Sequence, residues 1–159
     1  MAVLSGWMKN PVVMTAHVWH TTTQQDGINT QNHCRAGEIH NGYLLILVEQ
    51  AGVYYFDLRR WPKELDQPIR AGIAGRTHVL YVSDFEAGVA LDIHTAKLEI
   101  MTHHKPQQIY RDKLAVEGDE RVVIFEVSLE TGLYRVQSAF MDQLGNERGA
   151  YYLEARWRC

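Results

Sequence analysis

The segment from Asn41 to Pro62 leaves this chain little choice but to build a sheet. Tyr43-Leu44-Leu45-Ile46-Leu47-Val48 is apolar throughout, yet far short of the roughly 20 residues that a membrane helix needs. It reads as a strand buried on both faces, and Glu49-Gln50-Ala51-Gly52 reads as the turn that follows. From that turn a second strand runs Val53 to Trp61, with Tyr54, Phe56 and Leu58 on one face and Asp57, Arg59 and Trp61 on the other. The spacing predicts a hairpin that ends in a polar, aromatic surface feature, Arg59-Arg60-Trp61-Pro62.

The same period of two recurs along the chain, and no long segment keeps a helical period. Val12, Met14, Ala16 and Val18 alternate with Val13, Thr15, His17 and Trp19, which predicts a first strand with an aliphatic face and a His/Trp face. Ala96, Leu98 and Ile100 alternate with Lys97 and Glu99. Val123 to Leu129 alternates equally cleanly, Glu130-Thr131-Gly132 turns the chain, and Leu133 to Met141 returns. Asp142-Gln143-Leu144-Gly145-Asn146 supplies turn chemistry before a last strand, Gly149 to Arg158. Thr21 to His40 and Pro62 to Gly88 read as long loops, the second with a short strand at Thr77 to Val82. The expectation is an all-β, antiparallel two-sheet sandwich (jelly-roll or galactose-binding-like) of about seven to nine strands, formed as a single domain over 1–159.

A chain of 159 residues with 46% hydrophobic content can bury a substantial core without staples. Its net charge of −3 gives no basic field for nucleic acid, and no segment reads as a membrane span. Cys34 and Cys159 cannot form a disulfide framework. The first residues lack a basic region ahead of a long apolar run, so the sequence as written shows no secretion signal and reads as cytoplasmic unless it is an excised domain of a longer chain.

The ordered series His17-x-Trp19-His20, Asn41-Gly42-Tyr43, Gly52-x-Tyr54-x-Phe56-x-Leu58-Arg59-Arg60-Trp61-Pro62, Pro68-Ile69-Arg70-Ala71-Gly72 and Gly149-Ala150-Tyr151-Tyr152 resembles the accessory C-terminal β-sandwich domain of bacterial arylsulfatase-like proteins. The resemblance spans most of the chain. It departs at Leu44-Leu45, where that family usually carries Trp, and at 76–88, which looks like an insertion. No Cys-x-Pro-x-Arg or Ser-x-Pro-x-Arg stands anywhere in the chain, Cys34 being followed by Arg35-Ala36-Gly37. The resemblance therefore implies the accessory fold without the hydrolase.

Three constellations are candidates for chemistry. His17 and Trp19 on one strand face, with His20 beside them, predict an indole and imidazole platform for a sugar ring, set against the alternative that Trp19 closes the core. Arg59 and Trp61 predict a guanidinium stacked on an indole at the surface, set against a structural lock in which Arg60 hydrogen-bonds loop carbonyls and Pro62 ends the strand. The eight histidines and Cys34 lack zinc-type spacing, so no metal and no cofactor are expected. Carboxylate pairs such as Glu64/Asp66 and Asp119/Glu120 lie in solvated turns, and no Gly-x-Ser-x-Gly elbow is present, so an enzyme is not expected.

Two functional expectations follow. One is a non-catalytic module that binds a carbohydrate or other polar small ligand through His17, Trp19, His20, Asn41, Arg59 and Trp61. The other is an assembly module that packs on a second copy or on a sulfatase-like catalytic partner. A small enzyme built into the Pro62 to Gly88 loop is a remote third.

Overall fold

The computed structural model describes residues 1–5, 10–21, 31–75 and 86–158. Within them the chain forms strands β1 (Ala2–Leu4), β2 (Val12–Thr15), β3 (His20–Thr21), β4 (Gly42–Val48), β5 (Gly52–Arg59), β6 (Ile93–Thr102), β7 (Gln108–Ala115), β8 (Val123–Leu129), β9 (Gly132–Asp142), β10 (Glu147–Gly149) and β11 (Tyr152–Trp157). One short helix, α1 (Gln31–Ala36), lies in the first of the two long connections. The larger sheet has the order β1-β4-β9-β6-β7, with β3 on β4 and β10 on β9; the smaller has the order β2-β11-β5-β8. All pairings are antiparallel except that of β1 with β4. The expected all-β two-sheet sandwich is the fold.

Alternation decides which side chains meet between the sheets. From the larger sheet come Leu44, Ile46 and Val48 on β4, Ala96, Leu98 and Ile100 on β6, and Tyr134 and Val136 on β9. From the smaller come Met14, Tyr54, Phe56, Leu58, Val123, Phe125, Val127, Leu153 and Ala155. Tyr43, Leu45 and Leu47 are only half-buried, so β4 has one core face rather than two. Strand β7 was not anticipated, because it is exposed along its length except at half-buried Tyr110 and so carries no burial pattern. As an edge strand it is protected by charge, with Arg111, Asp112 and Lys113 in succession.

The first strand is shorter than its pattern suggested. After Thr15 the chain turns through a 3-10 segment, Ala16–Val18, in which Trp19 N donates to Ala16 O at 3.1 Å and Ala16 N donates to Tyr151 O at 2.9 Å. That turn breaks the alternation: Val18 becomes exposed, and Trp19 is only 8% exposed in the core. Gly149 is what admits the indole, since a Cβ there would collide with the Trp19 ring. The helix at 31–36 was also not anticipated, six residues being too few to show a period against a polar background. The expected strand from Thr77 to Val82 lies outside the described residues.

Candidate functional site

The outer face of the smaller sheet carries the most site-like geometry. On β5 the residues pointing away from the core are Tyr55, Asp57 and Arg59, and antiparallel pairing sets them opposite Arg156, Glu154 and Tyr152 of β11. Strand β2 extends these rows, placing Val13 beside Glu154 and Thr15 beside Tyr152. A 3-10 turn, Lys63–Leu65, follows Pro62 and rises as one wall. The result is a cleft of about 150 Å³ lined by Val13, Thr15, Asp57, Arg59, Pro62, Lys63, Glu64, Tyr152, Leu153 and Glu154.

Its electrostatics are unusual for a sheet surface. Asp57 and Glu154 oppose each other directly, and like charges in that arrangement repel. Both are buried, at 7% and 9% exposure. Arg156 offsets the repulsion by placing Nη2 2.8 Å from Asp57 Oδ1 and Nε 3.8 Å from Glu154 Oε1. The hydrogen bond to Asp57 is the main reason the Arg156 pKa is raised. Lys63 Nζ stands 3.8 Å from Glu154 Oε2. Among the described residues these ion pairs are all that Glu154 has, with no hydrogen bond, and half-buried Arg59 has neither hydrogen bond nor ion pair. The cleft thus presents a carboxylate held by two long ion pairs but no hydrogen bond, and a guanidinium with neither. Burial pushes the Tyr152 phenol up to about 12, so it stays a neutral hydroxyl at the cleft edge.

Of the six expected site residues only Arg59 lies here. Trp61 is 2% exposed, not beside Arg59 on the surface. The chain leaves the sheet at Arg60, and the indole turns inward to donate from Nε1 to Ala71 O at 3.0 Å. Gly88 fits against it, a Cβ there standing 2.5 Å from the ring. Arg60 lies 4.3 Å from that ring, is 1% exposed, and donates to the carbonyls of Cys34, Ile69, Ala71 and Val89 at 3.3, 3.5, 3.2 and 2.7 Å. The lock is what forms, and it ties α1 and both halves of the long second connection to the end of β5. The indole and imidazole platform does not form either: Trp19 is core, whereas His17 is exposed on the 3-10 turn. Asn41 turns back on its own backbone, its Oδ1 accepting from Gly42 N at 2.8 Å. His20 is exposed and stacks on Tyr43 on the other sheet, with ring centroids 5.2 Å apart.

Asp57 and Glu154 were not singled out from the sequence. The available signal was a carboxylate in the middle of a strand on a face next to a core face, but only the pairing of β5 with β11 shows that the two meet. Among the described residues no group of three or more His, Cys, Asp or Glu could hold a metal ion, and no helix is long and apolar enough to cross a membrane. No protein-family model, curated protein or solved structure matches the chain.

Proposed function

We propose that this chain is a non-catalytic β-sandwich module that holds a small polar ligand, a carbohydrate ring, in the cleft on the outer face of its smaller sheet. The observation that carries the reading is Glu154, a buried carboxylate without a hydrogen bond among the described residues, facing the cleft beside unpaired Arg59. Buried charges are ordinarily hydrogen-bonded, and a hydroxyl group supplies the missing donor while accepting from the guanidinium. Val13 and Pro62 give the cleft apolar surface for the C–H face of a ring. At about 150 Å³ it is below the ~300–1,000 Å³ of drug-sized sites, which restricts it to about one ring. The resemblance to sulfatase accessory domains belongs to the same proposal, with this module serving beside a catalytic partner.

A glycan array followed by titration calorimetry tests the reading. Binding by the wild type, lost in Arg59→Ala and in Glu154→Gln, supports it. Absence of binding to any neutral, uronic or sulfated glycan overturns it.

Assembly is a second reading. It rests on a recess of about 250 Å³ lined by Met1, Ala2, Val13, Met14, Thr15 and Val18, of which Met1, Val13 and Val18 are 71%, 54% and 52% exposed. Light scattering on the eluting protein decides it, because a strict monomer at high concentration removes self-association.

A further inference from the structure

The outer face of the larger sheet gathers a second set of polar side chains, unconnected to the cleft. Arg135 of β9 donates from Nε to Nδ1 of His103, in the connection between β6 and β7, at 3.1 Å. Its guanidinium lies 5.0 Å from the Tyr43 ring on β4, and His20 of β3 stacks on the same ring. His104 meets His103 edge to face, with centroids 4.9 Å apart. A hairpin connection, two strands and the short β3 therefore converge on one spot.

Arg135 shares with Arg59 of the cleft the lack of a carboxylate or carbonyl partner, which sets these two apart from the other described arginines. Arg70, Arg111, Arg121, Arg148, Arg156 and Arg158 each have a carboxylate within 4.0 Å. Arg35 and Arg60 donate to carbonyls. Among the described residues Arg135 has neither kind of partner; its one hydrogen bond goes to an imidazole, which leaves both Nη groups undirected. The residues directly opposite it, Leu45 and Met101, are uncharged. The nearest acid along the rows is Glu99 on β6, which sits opposite Gln137 and is drawn to Arg111 of β7 at 3.7 Å. Lys105, exposed in the same connection, adds to the positive side. The patch thus concentrates donors and positive charge on a chain whose net charge is −3.

We infer that Arg135, His103, His104 and His20 form a binding site for a doubly charged tetrahedral oxyanion, such as a sulfate or phosphate group. A planar fork with its Nη groups free matches two oxygens of such a group, and the imidazoles supply the remaining donors. Arg135 holds His103 in the tautomer that carries its proton on Nε2, because Nδ1 must accept. Partial burial, followed by the charges of Arg135, His104 and His20, lowers the His103 pKa. An arriving dianion compensates those charges, and a proton taken up at His103 Nδ1 displaces the Arg135 Nε–H, which turns to the anion, so binding strengthens as the pH falls through the histidine range.

Inorganic sulfate is the probe of choice, since it stays a dianion throughout that range and any pH dependence belongs to the protein. Titrations followed by backbone amide shifts at about pH 5.5 and about pH 8 should give binding about tenfold tighter at the lower pH. The shifts should center on Tyr43, His103, His104 and Arg135. Arg135→Gln should weaken binding about tenfold, Arg135→Lys should restore part of it, and His103→Gln should flatten the pH dependence. Thermal melts of each variant establish that it is folded, and inorganic phosphate run alongside should follow the same variants. Sulfate binding that ignores pH, or that survives Arg135→Gln, overturns the inference. Binding abolished instead by Arg59→Gln would place the oxyanion in the cleft, which also overturns it.

Discussion

Replacing Arg60 with methionine tests what holds the long connections in place. Methionine has similar length and suits a buried site, so packing changes little. What changes is the carbonyls. Ala71 O keeps the Trp61 indole as donor, and Cys34 O keeps Gly37 N at 3.2 Å. Val89 O and Ile69 O lose their only donor among the described residues. A stranded acceptor costs about 1–3 kcal/mol when buried, as Ile69 O is, and Val89 O belongs to a partly exposed residue, so about 2–6 kcal/mol is the upper limit for the two. Against this, a guanidinium no longer has to be desolvated, the effect that draws the Arg60 pKa down to about 10. Removal of a buried charge offsets part of the loss, and a net destabilisation of about 2–4 kcal/mol remains. In a chain whose total stability is of the order of 5–15 kcal/mol, that corresponds to a melting temperature lower by roughly 10 °C. Urea unfolding followed by tryptophan fluorescence should show a lower midpoint at unchanged slope. Arg59→Met, one residue away and without a partner, should stay within about 0.5 kcal/mol of wild type. If Arg60→Met also stayed within that margin, the carbonyl cage would not be what fixes these loops.

Three further outcomes are expected. Gly149→Ala should cost about 1–3 kcal/mol in the same unfolding assay, because the new methyl meets the Trp19 ring in the core. Asp142 takes hydrogen bonds from Arg148 and Asn146 that hold its carboxyl down to about 2, so its contribution is present above the ordinary carboxylate range and is lost as the pH falls from about 4 toward 2. The stability difference between wild type and Asp142→Asn should therefore shrink across that window and not above it. Burial lifts the Cys34 thiol to about 12, and its Sγ–H donates to Arg60 O at 3.2 Å, so in a Cys159→Ser background an aromatic disulfide reagent near pH 8 should label Cys34 only as fast as the chain opens.

The fold was legible wherever side chains alternate between core and solvent. Val123 to Leu129 shows this best, since its buried and exposed positions alternate without a break. Alternation fails where the backbone departs from a strand without changing composition. Nothing in Ala16-His17-Val18 announces a 3-10 turn, yet that turn moves Trp19 from the expected surface to the core. The same holds at Arg60, where leaving the sheet sends Trp61 inward. Site geometry was harder still, because it depends on pairing between distant strands. Asp57 and Glu154 are 97 positions apart in the chain and directly opposite in the sheet. His103 and Arg135 likewise meet only through the packing of the β6–β7 connection on β9.

The most direct test of the cleft is an amide-shift titration of the isotopically labelled protein with a panel of monosaccharides, neutral and uronic. A ligand held by Glu154 and Arg59 should move the amides of Thr15, Asp57, Arg59, Tyr152 and Glu154, on the outer face of the smaller sheet, and Arg59→Ala should abolish the response. An unmoved spectrum across the panel, or shifts confined to other surfaces, would contradict the assignment of this cleft as the binding site.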